Sequence, residues 1–143
     1  FKYMDPALAA RYSQAPDYPD RAKEALAEMV RQTGEAVFDD AGMMKRGVIV
    51  RHLALPGQLS DSMSVLAYLH ETYGEQIFLS IMNQYTPMPG IEKTFPELGR
   101  KLSADEYDTL VDYAVLLGVE NGFIQEGDTA EESFIPPFDL EGV

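Results

Sequence analysis

The stretch "GVIVRHLALPG", Gly47–Gly57, holds three β-branched residues, then a cation and an imidazole, then a Leu-Pro-Gly turn. Val48–Leu53 reads as a buried β-strand, because β-branched side chains suit a covered, pleated surface, and Pro56-Gly57 supplies the turn that ends it. Alternation puts Arg51 on one face with Ile49 and Leu53, and His52 on the other with Val48 and Val50. A strand that turns polar where it leaves the core is a strand that meets a site, and the elements on either side decide the fold in which it does so.

On the carboxyl side, "SDSMSVLAYLHETYG" has Ser60 as an N-cap, Val65, Leu66, Leu69 and Tyr73 on one face, and Gly74 as the stop. "QIFLSIM" is a continuous apolar run, which suits a strand covered on both faces. "SADEYDTLVDYAVLLG" opens with a capping box, Ser103 with Glu106, carries Tyr107, Leu110, Val111, Ala114 and Leu117 on one face, and ends at Gly118. "GFIQ" is a short last strand. On the amino side, Phe1–Tyr3 reads as the cut end of a longer strand, which makes the chain a fragment. Asp5 caps a helix from Pro6 to about Gln14. A second helix follows "APDYP", with Ala22, Leu26, Met29, Val30 and Thr33 on one face and Gly34 closing it. Residues 35–46 form a connecting loop whose Asp-Asp-Ala-Gly makes a turn or a small hairpin.

The order is therefore β-α-α-β-α-β-α-β, with no internal repeat. Strands alternating with helices imply right-handed crossovers and a parallel sheet, with working residues at the carboxyl ends of its strands. Arg51 and His52, then Asn83, Gln84 and Tyr85, then Gln125 and Glu126 occupy those ends. The expected fold class is α/β, a single domain over 1–143, of about four parallel strands with helices on one side.

Composition restricts what such a rim can bind. The 143 residues carry 24 acidic and 11 basic side chains, a formal charge of −13, which repels a phosphate backbone and argues against nucleic acid. The longest apolar runs are too short to span a bilayer, and no leader pattern is present, so a cytoplasmic protein is expected. The chain has no cysteine, which removes disulfides, zinc knuckles and a cysteine nucleophile from its own chemistry. His52 and His70 are far apart and give no metal-like spacing. No phosphate loop, Gly-x-Ser-x-Gly elbow or metalloprotease helix occurs.

Arg51 offers a two-pronged donor to an anion, such as a ligand carboxylate, or else to one of the chain's own acids. His52 is a base or a hydrogen-bonded structural residue. The amides of Asn83 and Gln84 can read a ligand's donors and acceptors or cap their own loop. The methionines at 43, 44, 82 and 88 read as packing. The carboxylates of the tail have nothing to hold a pair on opposing strands, so they read as a solvated acidic loop.

Three stretches, "FKYMDP", "VIVRHLALPG" with "SIMNQYTPM", and "GFIQEGDTAEESFIPPFD", together resemble the carboxyl-terminal half of radical S-adenosylmethionine proteins of the pyruvate formate-lyase activating-enzyme type. The resemblance implies half of a partial (β/α) TIM-like barrel. It implies that Lys2 matches the lysine of an Asp-x-Lys near S-adenosylmethionine, that Arg51 matches an arginine that helps to hold that cofactor, and that Asn83, Gln84 and Tyr85 lie at a polar contact. Activating enzymes tend to have a histidine in that last neighbourhood. The family's [4Fe–4S] cluster is held by a Cys-x-x-x-Cys-x-x-Cys loop in the amino-terminal half, so this chain should hold no cluster and should be inactive alone. Implied partners are the missing amino-terminal half and a glycyl-radical protein substrate. The alternative is a non-catalytic α/β binding or scaffold module; half of an aldolase or glycosidase barrel ranks below both. An open strand edge at Phe1 and an uncovered apolar face predict a homodimer or a rearranged amino-terminal segment.

Overall fold

A computed structural model describes residues 1–124. Its elements run α1 (Pro6–Ser13), α2 (Tyr18–Thr33), β1 (Val37–Phe38), β2 (Met44–Arg46), β3 (Val48–Leu53), α3 (Leu59–Tyr73), β4 (Ile77–Met82), α4 (Ala104–Leu117) and β5 (Gly122–Ile124). β3, β4 and β5 form a three-stranded parallel sheet in that order, with Val48 opposite Ile77, Leu53 opposite Met82 and Ser80 opposite Phe123. The chain is thus an α/β fold.

The core follows from the alternation. Val48 and Val50 of β3 and Ile77, Leu79 and Ile81 of β4 point to one side, where Leu26 of α2, Val65, Leu66 and Leu69 of α3, and Leu110 and Ala114 of α4 close over them. Among the described residues α2, α3 and α4 all pack on this side. On the other face Phe78 and Ser80 are half-buried and Ile49 is exposed, so "QIFLSIM" is fully covered on one face, not two. What lies over that second face is an aromatic row. Phe38 of β1 meets Phe78 edge-on at 5.1 Å between centroids, and Phe78 stacks on Phe123 at 5.6 Å.

Two local expectations need correction, and a third, left open between a turn and a hairpin, is decided. Phe1–Tyr3 forms no regular strand, so among the described residues the parallel sheet has three strands rather than about four. Residues 35–46 take the hairpin option: β1 and β2 pair antiparallel, and Asp39 closes the turn by accepting from the Ala41 and Met43 N–H groups. The helix after the Leu-Pro-Gly turn begins at Leu59 behind Gln58, one turn position before Ser60, because the chain leaves the turn already curled: the Gln58 N–H donates to the Leu55 carbonyl. Elsewhere the caps act as read. Asp5 accepts from the Ala7 N–H at 2.7 Å, and Ser103 and Glu106 form a complete capping box. Gly57 sits at φ +75, where a side chain would be strained, and its N–H donates to Glu106 at 2.9 Å. That bond ties the end of β3 to the start of α4.

Candidate functional site

Because β3 and β4 are parallel and in register, their carboxyl ends lie side by side, with Arg51 opposite Ser80. Arg51 is exposed, on the face the helices leave open, and among the described residues its guanidinium makes no hydrogen bond or ion pair. In a chain of charge −13 an unpaired arginine is notable, because the internal salt bridge that sequence alone allowed is not made among these residues. Lys2 is also exposed. Its backbone N–H donates to the Tyr18 hydroxyl at 2.8 Å, while its ammonium makes no hydrogen bond or ion pair among the described residues. The Phe1 amino group donates to the Arg51 carbonyl at 2.7 Å, which fixes Lys2 next to the strand position of Arg51.

His52 points the other way and does not belong to this solvent-facing rim. It is 2% exposed, with Nδ1 2.8 Å from the Phe1 carbonyl. A carbonyl only accepts, so Nδ1 carries the hydrogen and Nε2 is the bare nitrogen. Burial, opposed by the bond to Phe1, lowers the pKa to about 4, and the ring is neutral at neutral pH. Nε2 has no hydrogen-bond partner among the described residues. Such a ring clamps the amino-terminal segment to β3; it does not reach a ligand on the open face.

At the end of β4, Asn83 and Gln84 are half-buried and neither is without a partner. The Tyr85 hydroxyl donates to the Leu98 carbonyl at 2.8 Å, so it is spent on holding its own loop. Gln125 and Glu126 lie outside the described residues, as does most of the tail stretch that carries part of the resemblance. His70 is half-buried in α3. Of the four methionines read as packing, Met82 is buried, whereas Met43 and Met88 are exposed.

Two groups around the rim went unread in the sequence. Asp61, in the first turn of α3, accepts from the Met4 and Asp5 N–H groups at 3.1 and 2.7 Å, and burial raises its pKa. Tyr12 of α1 donates to Glu97 at 2.6 Å and accepts from the Gln58 amide at 3.1 Å, while Arg11 pairs with Glu97 at 2.7 Å and Phe95 packs edge-on against Tyr12. Burial first, then the bond to Glu97, pushes Tyr12 up to about 12. These contacts lock the loop after β4 onto α1. They join residues dozens of positions apart, so no local spacing announces them; only the polar first turn of α3, with Asp61 in it, was a readable hint.

Among the described residues, the rim therefore offers a guanidinium and an ammonium without ion pairs and an apolar floor, a set suited to an anionic or zwitterionic ligand with an apolar part. No group of three or more His, Cys, Asp or Glu side chains among the described residues is arranged to hold a metal ion. No described helix is long and apolar enough to cross a membrane. Comparison with family models, with curated proteins and with solved structures found no match.

Proposed function

We propose that this chain is the cofactor-holding carboxyl-terminal half of a radical S-adenosylmethionine protein of the activating-enzyme type, arranged as half of a partial (β/α) barrel. The observation that supports it is Arg51: a guanidinium with no partner among the described residues, at the carboxyl end of a parallel strand, on the sheet face that the described helices leave open. In a barrel, that face is the inner one, and the carboxyl ends are where ligands bind.

Arg51 grips the cofactor's carboxylate with two parallel N–H donors, a geometry that a lysine cannot reproduce. Lys2 adds a second positive charge from the neighbouring segment. Phe78 and Ile49 give the apolar part of the ligand a dry wall. The donors present fit S-adenosylmethionine in this sense, and when bound that molecule is the source of the 5′-deoxyadenosyl fragment used by the class. They do not fit a [4Fe–4S] cluster, which needs thiolates that this chain lacks. Cluster chemistry therefore belongs to another half, and this one binds and orients. The absence of any thiolate also favours a second reading, a non-catalytic binding module using the same rim.

Titration with S-adenosylmethionine, followed by NMR at the Arg51 Nε–H, tests both. The first reading expects saturable shifts with S-adenosylmethionine and S-adenosylhomocysteine, but not with 5′-methylthioadenosine, which lacks the carboxylate. Equal response to acetate points to the module. No shift at millimolar ligand overturns the cofactor assignment.

A further inference from the structure

Where β4 begins, at the end of the sheet away from the rim, there is a cavity of about 520 Å³, a size that takes a small organic ligand. Three rings stand in its wall: Phe38 of β1, Phe78 of β4 and Tyr73, the last residue of α3. Glu35 and Glu75 line it as well. Both are exposed, and neither carboxylate has a hydrogen bond or ion pair among the described residues. No lysine, arginine or histidine is among the described residues of the lining.

The two acidic walls are held by other parts of the fold. The Asn121 side-chain amide donates to the Glu75 carbonyl at 2.9 Å, which ties the turn after α3 to the start of β5. On the other wall Gly47, at φ +124, lets the chain beside Glu35 come close: a Cβ at Gly47 would stand 2.7 Å from the Ala36 Cα. The electrostatics of the cavity all have one sign. Aromatic rings offer a negative face to a cation, the carboxyl end of α3 brings the negative end of the helix dipole, and the two carboxylates add full charges. An anion is repelled from such a place, and a neutral ligand leaves both carboxylates unused.

We propose that this cavity binds a small organic cation, a protonated amine on a short apolar or aromatic body, with Glu35 and Glu75 supplying the counter-charge and the rings of Phe38 and Tyr73 taking its flank. The charge preference is opposite to that of the rim at Arg51, and the inference rests on neither reading of that rim, although Phe78 borders both.

Titration of the full chain with phenethylammonium, followed by NMR at the Phe38, Gly74 and Gln76 amides, tests it. Saturable shifts are expected that phenethyl alcohol, nearly the same shape without the charge, does not produce. Glu35→Gln with Glu75→Gln should weaken the apparent affinity by roughly tenfold or more, whereas Asp108→Asn with Asp112→Asn, which removes the same charge from α4, should leave it within about twofold. All four carboxylates are exposed, so both double variants should keep the amide spectrum of the core. Equal weakening in the two overturns the proposal, because attraction to the net charge of the chain would then be enough. An equal response to the alcohol, or no saturable shift at millimolar phenethylammonium, overturns it too. Tighter binding of Nα-acetyl-lysine amide than of phenethylammonium overturns the small-ligand assignment in favour of a lysine side chain from another protein.

Discussion

On one face of the sheet Val48, Val50, Leu79 and Ile81 lie at 8% exposure or less beneath α2, α3 and α4; on the other, Ile49 and Phe123 keep 44% and 46%. Both faces are apolar, and both arise from the same alternating strands. What separates them is the partner. The helix-covered face is closed by leucines with no accessible surface and supports the fold, whereas among the described residues the other face carries the Phe38–Phe78–Phe123 row and an Arg51 without an ion pair. An apolar surface that no described residue covers, beside a cation without a described partner, is the kind of surface that binds a ligand or another segment.

The division can be broken by large-to-small changes. Leu66, fully buried in α3, should lose about 2–5 kcal/mol on Leu66→Ala, through lost burial and a residual cavity. Phe123→Ala on the open face should cost less than about 1 kcal/mol. Urea unfolding measures both, and similar losses at the two sites would erase the distinction.

A pH series sharpens it at the clamp. His52 has a folded pKa near 4 against an ordinary 6.5, so the unfolded chain binds more protons between those values. Its neutral form supports the fold fully above pH 6.5, and roughly 3 kcal/mol is lost as pH falls from 6.5 towards 4. The half-buried Asp61 carboxyl, whose pKa burial raises, adds a slope of the opposite sign above its ordinary value. His52→Leu should flatten the urea midpoint over that range; an unchanged slope would show that His52 is not the titrating group.

How far these features were legible depended on how local they are. The helices from Pro6, over Tyr18–Thr33 and over Ala104–Leu117, with their caps, follow from short-range patterns, as do Val48–Leu53 and Ile77–Met82. The face of Arg51 followed from alternation. Which face the helices would leave open did not, because both faces of β4 are apolar and only tertiary packing selects one. The clamp of His52 on Phe1 and the Tyr12–Glu97 lock likewise depend on contacts between distant segments. Strand pairing at Phe1–Tyr3 was overread, since the three extended residues make one ladder-type bond and then turn to Asp61.

A smaller effect checks a locally coded feature far from the rim chemistry. Ser103→Ala removes the acceptor for the Glu106 N–H, and about 1 kcal/mol should be lost, with no change in ligand response at Arg51. Parallel unfolding and NMR titration would expose any coupling between this cap and the rim.

The smallest expected stability change belongs to the residue that matters most to the account. Arg51→Ala removes a side chain with no ion pair among the described residues, so its unfolding free energy should stay within about 0.5 kcal/mol of the parent. In the same preparation the chemical-shift response of the Ser80 and Met82 amides to S-adenosylmethionine should disappear. Stability retained with the response lost is the result predicted for an open face reserved for a ligand. Stability lost by more than about 1.5 kcal/mol, or a response to the ligand that survives intact, would contradict it.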